Sequence, residues 1–168
     1  MHAQEPRQGI LKLLHQSAHP ISASALAERF SVTRQVIVGD IALLRSSGAD
    51  ILATPRGYCI QGAAPGLVRR VAVRHTPHRM ETELNIMVDN GCTVVDVIVE
   101  HPLYGQLTGS LQLSTRAEVE QFMARSLTTQ PLSALTGGIH LHTLLCPDEA
   151  AFQRVREALR QEDILLED

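Results

Sequence analysis

The stretch GGIHLHTLLC, residues 137–146, sets two histidines one residue apart inside an apolar run. Successive side chains of a strand point to opposite faces, so His140 and His142 share one face while Ile139, Leu141 and Thr143 share the other. Imidazole is the commonest protein metal ligand, which makes metal coordination the chemistry this pair suggests. Paired histidines at a surface or at the edge of a core are an equally ordinary reading. The pair alone does not decide between them, so further ligands must be sought among the elements around it.

The rear of the chain supplies them. LVRRVAVRH reads as a strand ending at His75. TPHRMETELNIMVDNG opens with Thr76 as a cap and Pro77 at the first helical position and stops at Gly91. CTVVDVIVEH and YGQLTGSLQLS are strands, TRAEVEQFMARSL a helix, GGIHLHTLLC a strand and PDEAAFQRVREAL a last helix. The order β-α-β-β-α-β, then α, is that of a ferredoxin-like, split βαβ domain. In its usual 4-1-3-2 strand arrangement the fourth strand lies antiparallel to the first. His75, ending the first strand, then meets His140 and His142 at the start of the fourth, and His101 lies at the same sheet end.

The helix after His75 offers a fourth ligand. Met80, Leu84 and Met87 define its apolar face, and Glu83 falls between them, pointing at the sheet. Glu81 and Asp89 lie toward water. A carboxylate on an inward face is costly unless paired or bound to a cation. Three imidazoles and this carboxylate suit a divalent transition metal: nickel, zinc, iron, cobalt or manganese. A salt bridge from Glu83 to Arg74 or Arg79 is the simpler alternative. His78 reads as a solvated helix-start residue, and His2, His15 and His19 as surface groups.

With 168 residues and 44% hydrophobic content, the chain suffices for one medium domain or two small ones. Aromatics make up 3%, with no Trp, which argues against a stacking platform for single-stranded nucleic acid. Cys59, Cys92 and Cys146 are scattered, with no CxxC pair, as expected of reduced thiols in a cytoplasmic protein. No apolar run reaches transmembrane length, and the first residues lack the apolar core of a signal peptide. Net charge is −3, unevenly spread: residues 1–66 carry six Lys/Arg against four Asp/Glu, and residues 67–168 nine Arg against fourteen acids. A basic front and an acidic rear predict two domains with different partners, 1–62 and 67–168, joined through QGAAPG at 61–66.

In the front domain, RQGILKLLHQSAHP has helical spacing at Ile10, Leu13 and Leu14 and is closed by Pro20. SASALAERF gives a Ser-capped short helix. SVTRQVIVGDIALLRSSG follows after a tight turn, with Val36 or Ile37, Ile41 and Leu44 on one face and Gly48 as its stop. ADILATPRGYCI reads as two short strands around a Pro-Arg-Gly turn. Three helices and a hairpin make a winged helix-turn-helix, and ALAERFSVTRQVIVGDIALLRSSG resembles the N-terminal domains of winged-helix repressors such as the biotin repressor and the DeoR group. The second helix of such a motif enters the major groove of double-stranded DNA, which places Thr33, Arg34 and Gln35 at base edges. Arg56 at the hairpin tip is placed to reach the backbone or a narrow minor groove. A protein-interaction module with a solvated Arg-Gln face is the alternative. Gly39 costs about 1 kcal/mol relative to Ala inside that helix and leaves out a phosphate contact.

The winged helix, followed by RHTPHRMETELNIMVDNG, VEHPLYG and LTGGIHLHTL, resembles the niacin-responsive transcription repressors with a three-histidine (3H) domain, over essentially the whole chain. That family's metal site uses a His, a Glu eight residues later and a downstream HxH pair, a spacing that His75, Glu83, His140 and His142 match. The resemblance implies an α+β protein that is not an enzyme. It implies repression of NAD biosynthesis or niacin uptake genes as a homodimer, with nicotinic acid as co-repressor. Arg70 or Arg74 would then hold the effector carboxylate, His101 contact it and Tyr104 line its pocket. A metal-responsive regulator without organic ligand and a metal-dependent hydrolase fused to a DNA reader are the other classes. For the hydrolase, Glu100 and Asp96 are the acidic residues near the site, and neither carries a motif.

Overall fold

The computed structural model describes residues 4–60, 66–127 and 131–167. Apart from Gly66, the expected linker at 61–66 falls outside them. The chain divides into two compact units, residues 1–63 and 64–168.

The front unit runs α1 (Gln4–Gln16), α2 (Ala23–Phe30), α3 (Arg34–Ser46), β1 (Ile51–Thr54) and β2 (Gly57–Ile60). Local chemistry fixes where the helices start. The Ser22 hydroxyl accepts the Ala25 N–H at 3.0 Å, and the Thr33 hydroxyl accepts the Val36 N–H at 3.2 Å, satisfying donors that the first turn leaves free. Ser31, at φ 56°, ends α2 and turns the chain toward α3. Ile37 rather than Val36 takes the inward position, joining Ile10, Leu14, Leu26, Ile41 and Leu44 in the core. The β1–β2 hairpin is tied to the α1–α2 loop, because Ile21 and Tyr58 exchange backbone hydrogen bonds of 2.9 and 2.8 Å. Gly57 permits this: its φ is +131°, and a Cβ there would collide with the backbone of Ile21 and Ser22.

The rear unit runs β3 (Leu67–Arg74), α4 (Met80–Asp89), β4 (Thr93–His101), β5 (Gly105–Leu113), α5 (Arg116–Ser126), β6 (Ile139–Cys146) and α6 (Glu149–Gln161). Short 3-10 turns precede α4 at Pro77–Arg79 and β6 at Leu132–Thr136. Thr76 has the extended backbone of a cap but makes no side-chain capping bond. The α+β class and the βαββαβα succession are as expected. The strand arrangement is not. The sheet order is β3-β6-β4-β5, with every neighbouring pair antiparallel. The fourth strand of the domain, rather than the third, separates the first from the second. Charge explains the exchange. β3 carries Arg69, Arg70 and Arg74 and suits an edge, whereas β6 is buried along most of its length and suits the centre.

One sheet face, with Val71, Val73, Val94, Leu111 and Leu144, packs on α4, α5 and α6 through Leu84, Met87, Val119, Phe152, Val155 and Leu159. The chain end covers the free side of β3: the Arg74 N–H donates to the Ile164 carbonyl and the Leu166 N–H to the Ala72 carbonyl, both at 2.9 Å. Among the described residues no helix is long and apolar enough to cross a membrane.

The Gly57 contact generates a stability test. Gly57→Ala should destabilise the front unit by about 1–3 kcal/mol, because alanine is placed both at positive φ and against backbone. Denaturant unfolding followed by circular dichroism measures this; an unchanged midpoint would show that the hairpin does not depend on that close approach.

Candidate metal centre

Glu83 is fully buried, with none of its surface exposed. The helix face that carries Met80, Leu84 and Met87 into the core carries Glu83 with it. Facing it are His140 and His142, which pair with Val73 and Val71 of β3 and share their inward direction. His75 enters just past the end of β3. His75 Nε2 contacts Glu83 Oε2; His140 Nε2 lies 2.9 Å and His142 Nε2 2.6 Å from Glu83 Oε1. The rings of His75 and His140, and of His140 and His142, stand nearly perpendicular with centroids 4.8 Å apart. Arg79, one of the simpler partners considered for Glu83, instead bonds Glu162 at 2.6 Å.

The far side of each ring reveals what the near side is. His75 Nδ1 donates to the Thr76 carbonyl at 2.6 Å, His140 Nδ1 to the Gly138 carbonyl at 2.8 Å, and His142 Nδ1 to the Asp96 carbonyl at 2.7 Å. A carbonyl only accepts, so every Nδ1 carries hydrogen and every neutral ring presents a bare Nε2 lone pair to the carboxylate. His142 Nε2 is buried and finds no aligned hydrogen bond despite its closeness to Glu83. Lone pairs facing a carboxylate require either protons or a cation between them. Protonating all three rings would crowd three like charges around one carboxylate in a buried site. A divalent metal ion satisfies all four groups, and a backbone carbonyl holding the distal ring nitrogen is the usual support of a metal-bound histidine. The donor set therefore fits a metal ion: His75, Glu83 and His140 offer ligand atoms within 4.8 Å of one another, and His142 Nε2 lies 2.6 Å from the same carboxylate.

Without metal the cluster perturbs the titration of Glu83, His75 and His142. Burial acts to raise Glu83, yet the His142 charge and the contacts with His140, His142 and His75 hold it well below the usual carboxylate range. Burial acts to lower His75 and His142, and the Glu83 carboxylate overrides it and raises both.

Three backbone carbonyls orient the rings, and two are placed by features with no side-chain signature. Gly138, at φ +95°, brings its carbonyl to His140 and to the His75 N–H, and a Cβ there would collide with the His75 backbone. This is the role of the glycine doublet. Asp96 sits at an irregularity in the β4 register, where its carbonyl reaches His142 and its carboxylate accepts the Thr143 N–H at 3.0 Å.

The other candidate residues are spread wider. Arg74 borders a cleft of about 420 Å³ together with His75, Thr76, Ser133 and Gly138. Arg70 lies on the sheet face opposite the imidazoles, 3.4 Å from the Thr143 hydroxyl, and is not brought to the histidines. His101 is in the β4–β5 hairpin, where its Nδ1 accepts the N–H groups of Leu103 and Tyr104 at 3.1 and 3.2 Å. Tyr104 is 69% exposed beside it. In the front unit, Thr33, Arg34 and Gln35 lie exposed at the start of α3. Arg56 is in the hairpin turn, its backbone N–H bonded to the Thr54 hydroxyl at 3.2 Å and its side chain partly buried.

These shifts set a pH test. The raised histidines contribute stability below their ordinary value of 6.5 and lose it as pH rises through their folded values. The lowered Glu83 contributes above its ordinary 4.5 and loses it as pH falls. Chelator-treated protein should therefore draw most from this cluster between pH 4.5 and 6.5, and its rear-unit melting temperature should fall from pH 6.5 to 8. Metal affinity should rise over that same upper range as protons stop competing. Calorimetric melting with and without added nickel reads both trends; a metal-free melting temperature that climbs toward pH 8 contradicts the arrangement.

Comparison with known proteins agrees with both halves. The HTH domain family matches residues 7–59 and the 3H domain family residues 68–168. The chain is 46% identical over 167 residues to the probable transcription repressor NiaR of Thermotoga maritima, covering 98% of this chain and 95% of that protein. It is 42% identical over 168 residues to the transcription repressor NadR of Bacillus subtilis, covering 96% and 93%. An uncharacterized protein of Methanothermus fervidus is 24% identical over 139 residues, 76% of this chain and 22% of that protein. A helix-turn-helix reader joined to a buried three-histidine cluster, with full-length repressor relatives, means that the chain belongs to the niacin-responsive, 3H-domain family of DNA-binding transcription repressors and is not an enzyme.

Proposed function

We propose that this repressor acts on genes of NAD biosynthesis or niacin uptake in the cytoplasm as a homodimer. Nicotinic acid is its co-repressor, bound beside a divalent transition metal held by His75, Glu83, His140 and His142. The observation that carries the reading is the set of three Nδ1–carbonyl bonds, which aim three Nε2 lone pairs at one buried carboxylate. Nickel, zinc and iron all suit such ligands. When bound, the metal supplies a Lewis-acid point for a pyridine nitrogen or a carboxylate. The chain's own contribution lies beside it. Arg74 shares the cleft with His75 and offers a cation to a small carboxylate at its rim. Effector binding raises DNA affinity only if nicotinate binds the DNA-competent state more tightly. A two-fold dimer would read half-sites about 34–36 Å apart, or a multiple of that.

His142→Ala should retain the fold and its nicotinate-free operator affinity, lose bound metal and show no gain on adding nicotinate. Operator binding with and without nicotinate, alongside elemental analysis, checks it. Stoichiometric metal with a full response in the variant would remove His142 from the site, and a response to metal alone in the parent protein would favour a metal-responsive regulator.

Arg34→Ala should weaken operator binding by about 1–3 kcal/mol and relax preference at one base position. A loss equal on every sequence would make Arg34 a phosphate contact. Light scattering at micromolar concentration should report a dimer; a monomer that still binds its operator tightly overturns the two-fold reading.

A further inference from the structure

The exposed face of α3 carries three large apolar side chains where a DNA-reading helix has most to gain from polar groups. Ile37, Asp40, Ile41 and Leu44 turn inward. At 3.6 residues per turn the opposite ridge carries Gln35, Gly39, Ala42 and Ser46, flanked by Val36 and Leu43 on one side and Val38 on the other. Val36, Val38 and Leu43 are 44%, 41% and 52% exposed. The one acid of the helix, Asp40, is turned away from this face, with its carboxylate 3.6 Å from Arg7. Exposed cations stand at the two ends, Arg34 and Arg45, and residues 1–66 carry an excess of positive charge. The face is therefore cationic at its ends, uncharged at its centre and free of carboxylate. That pattern complements a major groove, with phosphates at the rims and base edges on the floor.

On that floor the apolar group is the C5-methyl of thymine. We propose that α3 reads thymine methyl groups through Val36 and Val38, while Gly39, which has nothing within 4 Å of the position a Cβ would take, lets the helix sit deep between them. The glycine that omits a phosphate contact thereby serves base contact. The inference rests on α3 being the element that enters the groove, and it adds the chemical feature that this helix selects.

The test uses the full chain. A duplex enriched from a random pool by the parent protein is resynthesised with deoxyuridine replacing each thymine in turn, which deletes one methyl and no hydrogen-bonding group. Affinities are read by fluorescence anisotropy for the parent, Val36→Ala and Val38→Ala. Alanine is the better helix former, so the variants keep α3. At one or more thymines of each half-site, the parent should lose about three- to fivefold in affinity, the worth of one buried methyl. The corresponding valine variant should bind the thymine and deoxyuridine duplexes equally. A parent protein that binds its enriched duplex tightly and ignores every replacement overturns methyl reading while leaving DNA binding intact. Sensitivity that persists undiminished in both variants overturns the assignment to these valines. Failure to enrich any duplex, or loss of self-association rather than of DNA binding in the variants, overturns the groove-facing reading of α3 itself.

Discussion

A carboxylate with no exposed surface cannot be left to itself inside a protein, and the rear unit is organised around that constraint. Glu83 sits in the apolar face of α4, so the packing that buries Leu84 and Met87 also buries a charge. Removing that charge from water is costly unless partners meet it. β6 supplies two and the end of β3 a third. Their meeting depends on a tight Gly137–Gly138 turn at one end of β6 and on a register irregularity in β4 beside its middle. Sheet order, turn geometry and helix register are thus one arrangement seen from three sides. The carbonyls that fix the imidazoles do as much as the ligands, because they decide which ring nitrogen faces inward.

The parts of this arrangement that reside in side-chain type were legible in the sequence. The histidine pair, the inward position of Glu83 and the cap at Ser22 follow from alternation, helical period and the donors left free by a first turn, whereas the cap at Thr33 was not read from the sequence. Strand order was not legible. The βαββαβ succession is shared by more than one sheet, and what distinguishes them is which strand tolerates an edge. That information was present in Arg69, Arg70 and Arg74 of β3, set against β6, which carries no Lys, Arg, Asp or Glu. The orienting carbonyls were invisible for a different reason: every residue owns one, and only backbone geometry decides whether it points at a ring. Position along a strand also gave Arg70 and Arg74 equal standing, and the pleat puts both on the face opposite the imidazoles, but only Arg74, at the strand end, borders the cleft that His75 lines.

In the front unit one residue can serve both the fold and the DNA recognition proposed for it. Thr33 accepts the Val36 N–H and so fixes where α3 begins, yet its hydroxyl hydrogen is not consumed by that bond. The same side chain that starts the helix can donate to a phosphate. Gly57 contributes differently. By letting the hairpin press against Ile21 it gives the wing a fixed attachment to the helical core, which is what a two-stranded ribbon needs to hold a defined position.

The position of β6 between β3 and β4 has a consequence for how the rear unit comes into being. The two strands that flank it emerge from the ribosome first, and neither can pair with the other. β4 pairs at once with the adjacent β5, but β3 has no strand partner until β6 is made, and residues 164–166 then close its outer side. The β4–β5 hairpin is local, but joining it to β3 needs the two distant pairings of β6, which slow assembly of the complete sheet. His75 and Glu83 are made early and lack His140 and His142 until β6 inserts. Competence to gather all four side chains is therefore acquired only with the final sheet, so that a truncated or half-folded chain presents no complete cluster.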